Sequence, residues 1–226
     1  MVLTLGIDEA GRGPCVGSMF IVGAMFEEQD LVKLKNLGVK DSKLLTHKRR
    51  VELEKSIKKI AKKIKIIKVS PKEIDEAVES DSGLNLNWLE ALKQAEIINE
   101  LKPDKVIIDC PSPNIKKYTD YLKERIKKEL VDKIIFVVEH KADVNFVECS
   151  SASIVAKVMR ENEVKDIERM VGESIGSGYT SNPICQQFIK DKMDKYPKIF
   201  RKSWLTYKNH KKIKEQKTLD TYDNLQ

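Results

Sequence analysis

Apolar positions along the chain recur at two spacings, and the spacings predict its elements. Val2-Leu3-Thr4-Leu5 alternates over a short run, which predicts a strand, and Asp8-Glu9 followed by Gly11-Arg12-Gly13-Pro14 closes it. The run from Val16 to Phe26 predicts a second, mostly buried strand, and 28–37 a short helix. Thr46 reads as the N-cap of a helix over 47–63, with Leu53, Ile57, Ile60, Ala61 and Ile64 as its apolar stripe and lysines on the other face. Lys65–Val69 predicts a third strand. Ser70-Pro71-Lys72-Glu73 is a capping box with proline at the first helical position, opening a helix to about 79. A long helix is expected over 84–101, with Leu89, Leu92, Ala95 and Ile98 facing inward. A strand at 105–109, a helix over 115–130, a strand at 133–138 and a long helix over 145–171 follow. Residues 172–178 form a Gly/Ser-rich connection, a further helix starts after Asn182-Pro183, and the tail is helical around Trp204, fraying after about 215. Strands that lead and then alternate with helices predict an α/β fold: a mixed sheet covered by helices, with a helical C-terminal appendage.

Composition narrows the class. The 226 residues are 41% hydrophobic and 34% charged, enough for a sizeable core, with no apolar run of membrane-spanning length. No basic-then-apolar leader is visible, so the expectation is a cytoplasmic protein that does not engage a membrane. Cysteines 15, 110, 149 and 185 share no CxxC spacing, which speaks against structural zinc and for free thiols. The net charge of +7 is unevenly spread: residues 46–63 carry eight Lys/Arg against two acids, and residues 190–226 eleven against five. Basic segments around an acidic remainder suit a polyanion-binding protein with a carboxylate site, although a solvated lysine surface accounts for the charge nearly as well.

The candidate chemistry lies in acids at strand ends. Asp8 and Glu9 close the first strand, Asp109 closes a central one, and Asp143 follows the strand ending near Val138. Side chains alternate along a strand, so Asp8 and Glu9 serve one site only if the strand ends or bends at Glu9; the two glycines and Pro14 are the expected bend. Asp109 alone reads as a turn aspartate and Asp143 alone as a helix-start aspartate. In open α/β sheets, however, function gathers at strand C-termini, and converging carboxylates are tolerated when a hard divalent cation neutralises them. Oxygen ligands in a chain with three histidines select magnesium or manganese.

These segments resemble the ribonuclease HII family, archaeal type. The resemblance rests on Gly6-Ile7-Asp8-Glu9-Ala10-Gly11-Arg12-Gly13-Pro14, Asp41-Ser42-Lys43, Val106–Asp109, His140-Lys141-Ala142-Asp143, Ser150–Glu161 and Gly176-Ser177-Gly178-Tyr179, and it runs to about residue 207. It implies a ribonuclease H-like mixed five-stranded sheet flanked by helices, divided as a catalytic domain over 1–189 and a basic helical C-terminal extension over 190–226. It implies a monomeric endonuclease that hydrolyses the RNA strand of RNA–DNA hybrids and cuts at single ribonucleotides in duplex DNA, by a two-metal-ion reaction with Mg2+ or Mn2+ that leaves 3′-hydroxyl and 5′-phosphate ends. Asp8, Glu9, Asp109 and Asp143 take the positions of its catalytic and metal-binding carboxylates. Gly11, Arg12 and Gly13 match the segment whose backbone reads the ribose 2′-hydroxyl, Tyr179 matches a tyrosine packed on the deoxyribose after the junction, and Lys43, Ser153 and Lys157 match phosphate contacts. Thr180 and Asn182 stand where proline and aspartate are commoner, a departure expected to loosen the tyrosine. Cys15 and Ser18 also depart from the pattern and carry little weight.

Without the family, Lys157 reads equally as a solvated helix lysine, Tyr179 as a packing aromatic, Ser150, Ser151 and Ser153 as a helix cap, and Trp88 and Trp204 as core. A non-catalytic hybrid-binding module and a nuclease of different specificity are the competing readings. The basic tail is expected to hold the duplex backbone, and a replication-associated partner is expected there too, although the tail shows no clear docking motif.

Overall fold

The computed structural model describes residues 2–81 and 83–223, with side chains to Gln216. Strand β1 (Leu3–Ala10) pairs antiparallel with β2 (Met19–Glu27), down to Ala10 opposite Phe20. After α1 (Leu31–Asn36) and α2 (His47–Ile60), β3 (Lys63–Val69) adds antiparallel to β2. Helices α3 (Pro71–Val78) and α4 (Leu86–Leu101) lead to β4 (Lys105–Asp109), which lies parallel to β1. Helices α5 (Ile115–Lys123) and α6 (Lys128–Val131) lead to β5 (Ile135–Glu139), parallel to β4. The chain ends in α7 (Ala142–Asn145), α8 (Val147–Val171), α9 (Pro183–Lys192) and α10 (Leu205–Asp223). The sheet order β3-β2-β1-β4-β5 puts β1 at the centre of a mixed five-stranded sheet, as the resemblance implies.

The two faces of the sheet are separate cores. Leu5, Ile7, Met19, Ile21, Val106 and Ile108 pack against α4 and α5 through Ile97, Ile98, Tyr118 and Leu122. The alternate positions Val22, Ala24 and Phe26 pack against α1, α2 and α8 through Leu34, Leu53, Ile57 and Val155. Each such side chain, fully removed from water, contributes about 1.5–3 kcal/mol. A third cluster, with Cys15, Val16, Phe188, Ile189 and Phe200, joins the start of the chain to its last third. Among the described residues no helix is long and apolar enough to cross a membrane.

Local signals set most boundaries. Thr46 accepts from the Arg49 N–H, and Ser70 and Glu73 form the reciprocal capping box. Four expectations move. The second strand begins at Met19, because Val16 bridges to Phe200 and Gly17 donates to Ile199 instead. Ile64 belongs to β3, since Ala61 is already extended and Lys62 joins Met25. The helix expected over 115–130 is two, because the Asn99 side chain takes the Lys127 N–H and donates to the Arg125 carbonyl in the gap. Helix α10 continues to Asp223, past the expected end near 215.

The tightest constraint is at Gly6. A Cβ there would stand 2.2 Å from the Glu148 carbonyl carbon and 2.5 Å from the Cys149 nitrogen, so α8 lies on β1 backbone to backbone. Gly6→Ala is expected to cost about 3 kcal/mol in urea unfolding, because neither backbone yields; wild-type stability would show that the contact is slack.

Candidate metal centre and substrate groove

Register brings the first two acids together. Ile7 pairs with Ile108 in the parallel β1–β4 ladder, so Asp8 and Asp109 come next, side by side on the face covered by α8. Asp143 arrives from the next turn. Lys141 adopts a left-handed backbone at φ 61°, and Asp109 accepts the Ala142 N–H at 3.1 Å, tying α7 over the strand end. Ser150 fixes the same turn by donating to the Asp143 carbonyl at 2.6 Å. As a result one carboxylate oxygen from each of Asp8, Asp109 and Asp143 lies within 4.8 Å of the other two.

The cluster is strained electrically. Burial, then the Glu9 charge, raises the Asp8 carboxyl well above its usual range. Burial and the Asp143 charge raise Asp109. Asp143 Oδ1 is buried without a hydrogen-bond partner among the described residues. Lys43 Nζ stands 3.5 Å from Asp143 Oδ2, and Lys157 Nζ binds Ser42 Oγ, which in turn meets Ser153 Oγ at 2.8 Å. Ser153 is fully buried, and its hydroxyl works against the rise at Asp8 by stabilising the Asp8 carboxylate. Burial lowers the Lys157 pKa despite the neighbouring Asp8.

Glu9 sits differently. The ladder runs straight through to Ala10, so the bend expected at Glu9 is absent and Glu9 points to the α4 face. Its Oε2 is buried without a partner, and burial, then the Glu90 charge, raises its carboxyl to about 8. Glu90, fully buried on α4, is itself raised to about 8 by burial and holds the Arg12 guanidinium, which also meets Asn87 Oδ1 at 2.6 Å. The Arg12 side chain is therefore tied to α4 by two acceptors.

The Gly11-Arg12-Gly13 loop lies at one wall of a groove of about 670 Å³ lined also by Glu9, His47, Lys157 and Tyr179. Glycine is required here for space as well as conformation. Gly11 (φ +84°) and Gly178 (φ +78°) press on the buried Arg160 side chain, and a Cβ at Gly13 would come within 3.2 Å of the Tyr179 ring. Tyr179 is 44% exposed over the groove. The departure at Asn182 leaves this turn intact: its Oδ1 accepts from Ile184 and Cys185, and its N–H donates to the Tyr179 carbonyl at 3.0 Å. Sequence reasoning missed Glu90, Asn87, His47 and Arg160; an acid at an inward helical position was the one available signal.

A mixed five-stranded sheet with an acid trio at its strand ends defines the class, a divalent-metal nuclease of ribonuclease H-like fold. Comparison with known proteins gives the family. The ribonuclease HII family profile matches residues 5–207. Ribonuclease HII of Methanococcus maripaludis strain C7 is 40% identical over 223 residues, covering 95% of this chain and 90% of that one. The crystal structure of ribonuclease H2 from Pyrococcus horikoshii OT3 superposes with a TM-score of 0.83 at 34% identity, covering 93% and 98%. Ribonuclease HII from Archaeoglobus fulgidus, seen in complex with PCNA, gives 0.79 at 34%, covering 92% and 96%. The chain belongs to the ribonuclease HII family; it is a metal-dependent endoribonuclease that cleaves the RNA strand of RNA–DNA hybrids.

The residues fit a hard cation: three carboxylates converge, Asp143 Oδ1 among them is buried without a partner among the described residues, and every donor is oxygen. Without metal the cluster has a measurable signature. Glu9 rises from an ordinary 4.5 to about 8, so its contribution to stability is full below about pH 4.5 and is lost as pH climbs through about 8. In EDTA, urea midpoints are expected to fall over this window, and Glu9→Gln to flatten the fall. Asp109→Asn, which relieves repulsion, is expected to raise the metal-free Tm by about 2–4 °C, and Mg2+ to stabilise wild type more than the variant. Identical curves with and without metal would show that the acids do not act together.

Proposed function

We propose that the enzyme cuts at single ribonucleotides embedded in duplex DNA as well as in long hybrids, leaving 3′-hydroxyl and 5′-phosphate ends. The observation that carries this reading is the acid trio beside a groove lined by Gly11, Arg12 and Tyr179, the two joined by Lys157, which lines the groove and feels the Asp8 and Asp143 charges. Asp8, Asp109 and Asp143 would hold Mg2+ or Mn2+, and Glu9, whose charge raises Asp8 and whose carboxyl is raised by Asp109 and Asp143 across the strand end, would complete the set. Two such ions, when bound, polarise a phosphodiester, activate its attacking water and stabilise its leaving oxygen.

The remaining groups orient the substrate. Lys43 and Lys157 place cationic charge beside the acids, where a scissile phosphate must lie. Backbone N–H groups of the Gly-Arg-Gly loop approach a sugar closely because Gly11 and Gly13 have no Cβ, and the 2′-hydroxyl is what separates RNA from DNA. Tyr179, packed on Gly13, offers a flat apolar face to a neighbouring deoxyribose. The basic residues of 190–226 hold the duplex backbone. The Archaeoglobus fulgidus relative is seen with PCNA, which supports a replication-associated partner of the same kind, engaged through the tail.

With Mg2+ or Mn2+, a duplex carrying one ribonucleotide is expected to be cut at that residue, and Asp109→Asn to lose about 10³-fold in rate, the several kcal/mol a metal ligand supplies. Cleavage surviving in Asp109→Asn would refute the acid assignment. Equal cutting of all-DNA duplex would favour a general nuclease, and binding without turnover a binding module. Deleting residues 208–226 is expected to weaken duplex binding and flatten its salt dependence, by about 0.9 in log–log slope for each lost phosphate contact; an unchanged slope would mean the tail is only solvated.

A further inference from the structure

The loop carrying Gly11, Arg12 and Gly13 is gripped from the far end of the chain. Arg201 is fully buried, and its guanidinium donates to the carbonyls of Gly11 at 2.5 Å, Arg12 at 2.7 Å and Gly17 at 3.0 Å. Three residues on, the Trp204 indole N–H donates to the Gly13 carbonyl at 2.9 Å. The Arg201 guanidinium also lies 5.0 Å from the Trp204 ring centre. Two side chains therefore hold three consecutive carbonyls of one loop.

Their own backbone is fixed in turn. Asp75 on α3 accepts from the N–H groups of Lys202 and Ser203, both at 2.9 Å, and from the Ser203 hydroxyl at 2.6 Å. The Arg201 N–H donates to the Cys15 carbonyl at 2.8 Å. Burying a guanidinium is expensive, and an ordinary surface turn has no need of one. Arginine is the side chain whose rigid fork sets the direction of several acceptors at once.

Direction is what matters here. Peptide bonds in the described residues are trans, so each carbonyl opposes the N–H of the following residue. Pulling the Gly11 and Arg12 oxygens onto Arg201 turns the Arg12 and Gly13 N–H groups the other way, and neither finds an acceptor among the described residues. Pro14 has no N–H, so the pair ends there. The Arg12 side chain does not compete for the space, because Glu90 and Asn87 draw it inward.

We propose that Arg201 and Trp204 are positioning residues for ribose recognition: by holding the carbonyls of Gly11, Arg12 and Gly13 they present the Arg12 and Gly13 N–H groups as a preset donor pair for a sugar hydroxyl. The inference rests on the ribose-reading role given to this loop above. It makes the segment 200–204 part of the recognition apparatus, apart from any backbone contact of the tail.

The test is steady-state cleavage of a single-ribonucleotide duplex in Mg2+, with the matching all-DNA duplex as competitive inhibitor. The ratio of the inhibitor's Ki to the substrate's KM measures sugar discrimination. Trp204→Phe, which keeps a ring and loses the donor, is expected to lower this ratio about tenfold, the worth of roughly one well-placed hydrogen bond. Arg201→Met is expected to lower it further and Arg201→Lys to fall between. A merely structural role would reduce kcat through the folded fraction and leave the ratio unchanged, and folded variants with the wild-type ratio overturn the proposal. A wild-type ratio near one overturns the ribose-reading role of the loop itself, and this role with it. Should Arg201→Met not fold, wild-type amide resonances decide alongside Trp204→Phe. With Mg2+ and a duplex whose scissile linkage is non-hydrolysable, the Arg12 and Gly13 signals shift with the ribonucleotide duplex and not with all-DNA; unmoved signals overturn the proposal.

Discussion

Three like charges held together against their repulsion are the constraint on which this structure depends. One oxygen each from Asp8, Asp109 and Asp143 is confined within 4.8 Å, in partly dehydrated surroundings where Coulomb repulsion is poorly screened. Nothing local accounts for that proximity. It is imposed by a parallel ladder that leaves no choice of register, by α8 lying on Gly6 without a side chain between, and by a left-handed residue that folds α7 back over β4. The apolar cores on both faces of the sheet supply the free energy that keeps the acids in place.

The same central strand divides labour by parity. Asp8 faces α8 with its serines and lysines, whereas Glu9 faces α4, where Glu90 and the inward-turned Arg12 stand. One residue of sequence thus separates the side chain that joins the acid trio from the one that lies beside Glu90 and Arg12. Glu90 links the two: it raises the neighbouring Glu9 carboxyl while fixing the arginine of the adjacent turn.

Much of this was legible in the residues because much of it is local. Caps at Thr46 and Ser70, the short apolar run at 105–109 and the acid that ends it carry their meaning within a few positions. What was not legible depends on distant partners. Glu124-Arg125-Ile126-Lys127 is as helical in composition as its surroundings, and only Asn99, from another helix, breaks it. No glycine or proline marks the end of α2, so Ile64 passes for one more turn of its stripe. Glu9 looks like half of a pair with Asp8 because period two, read without the ladder, does not say where a strand stops. Arg201 has the composition of a basic tail, and its burial is visible only in three dimensions.

The grip of Arg201 on the loop joins positions about 190 apart, nearly the whole length of the chain. A ribosome that has released residues 1–171 has already delivered Asp8, Glu9, Asp109 and Asp143, but neither of the side chains that hold the three carbonyls. On the proposed reading of the loop, the acid cluster and the sugar-reading backbone would thereby be completed at different moments of biogenesis. A nascent or proteolysed chain ending before residue 200 would carry the acids without the fixed loop, so the last quarter of the polypeptide acts as a completeness check on the first dozen residues.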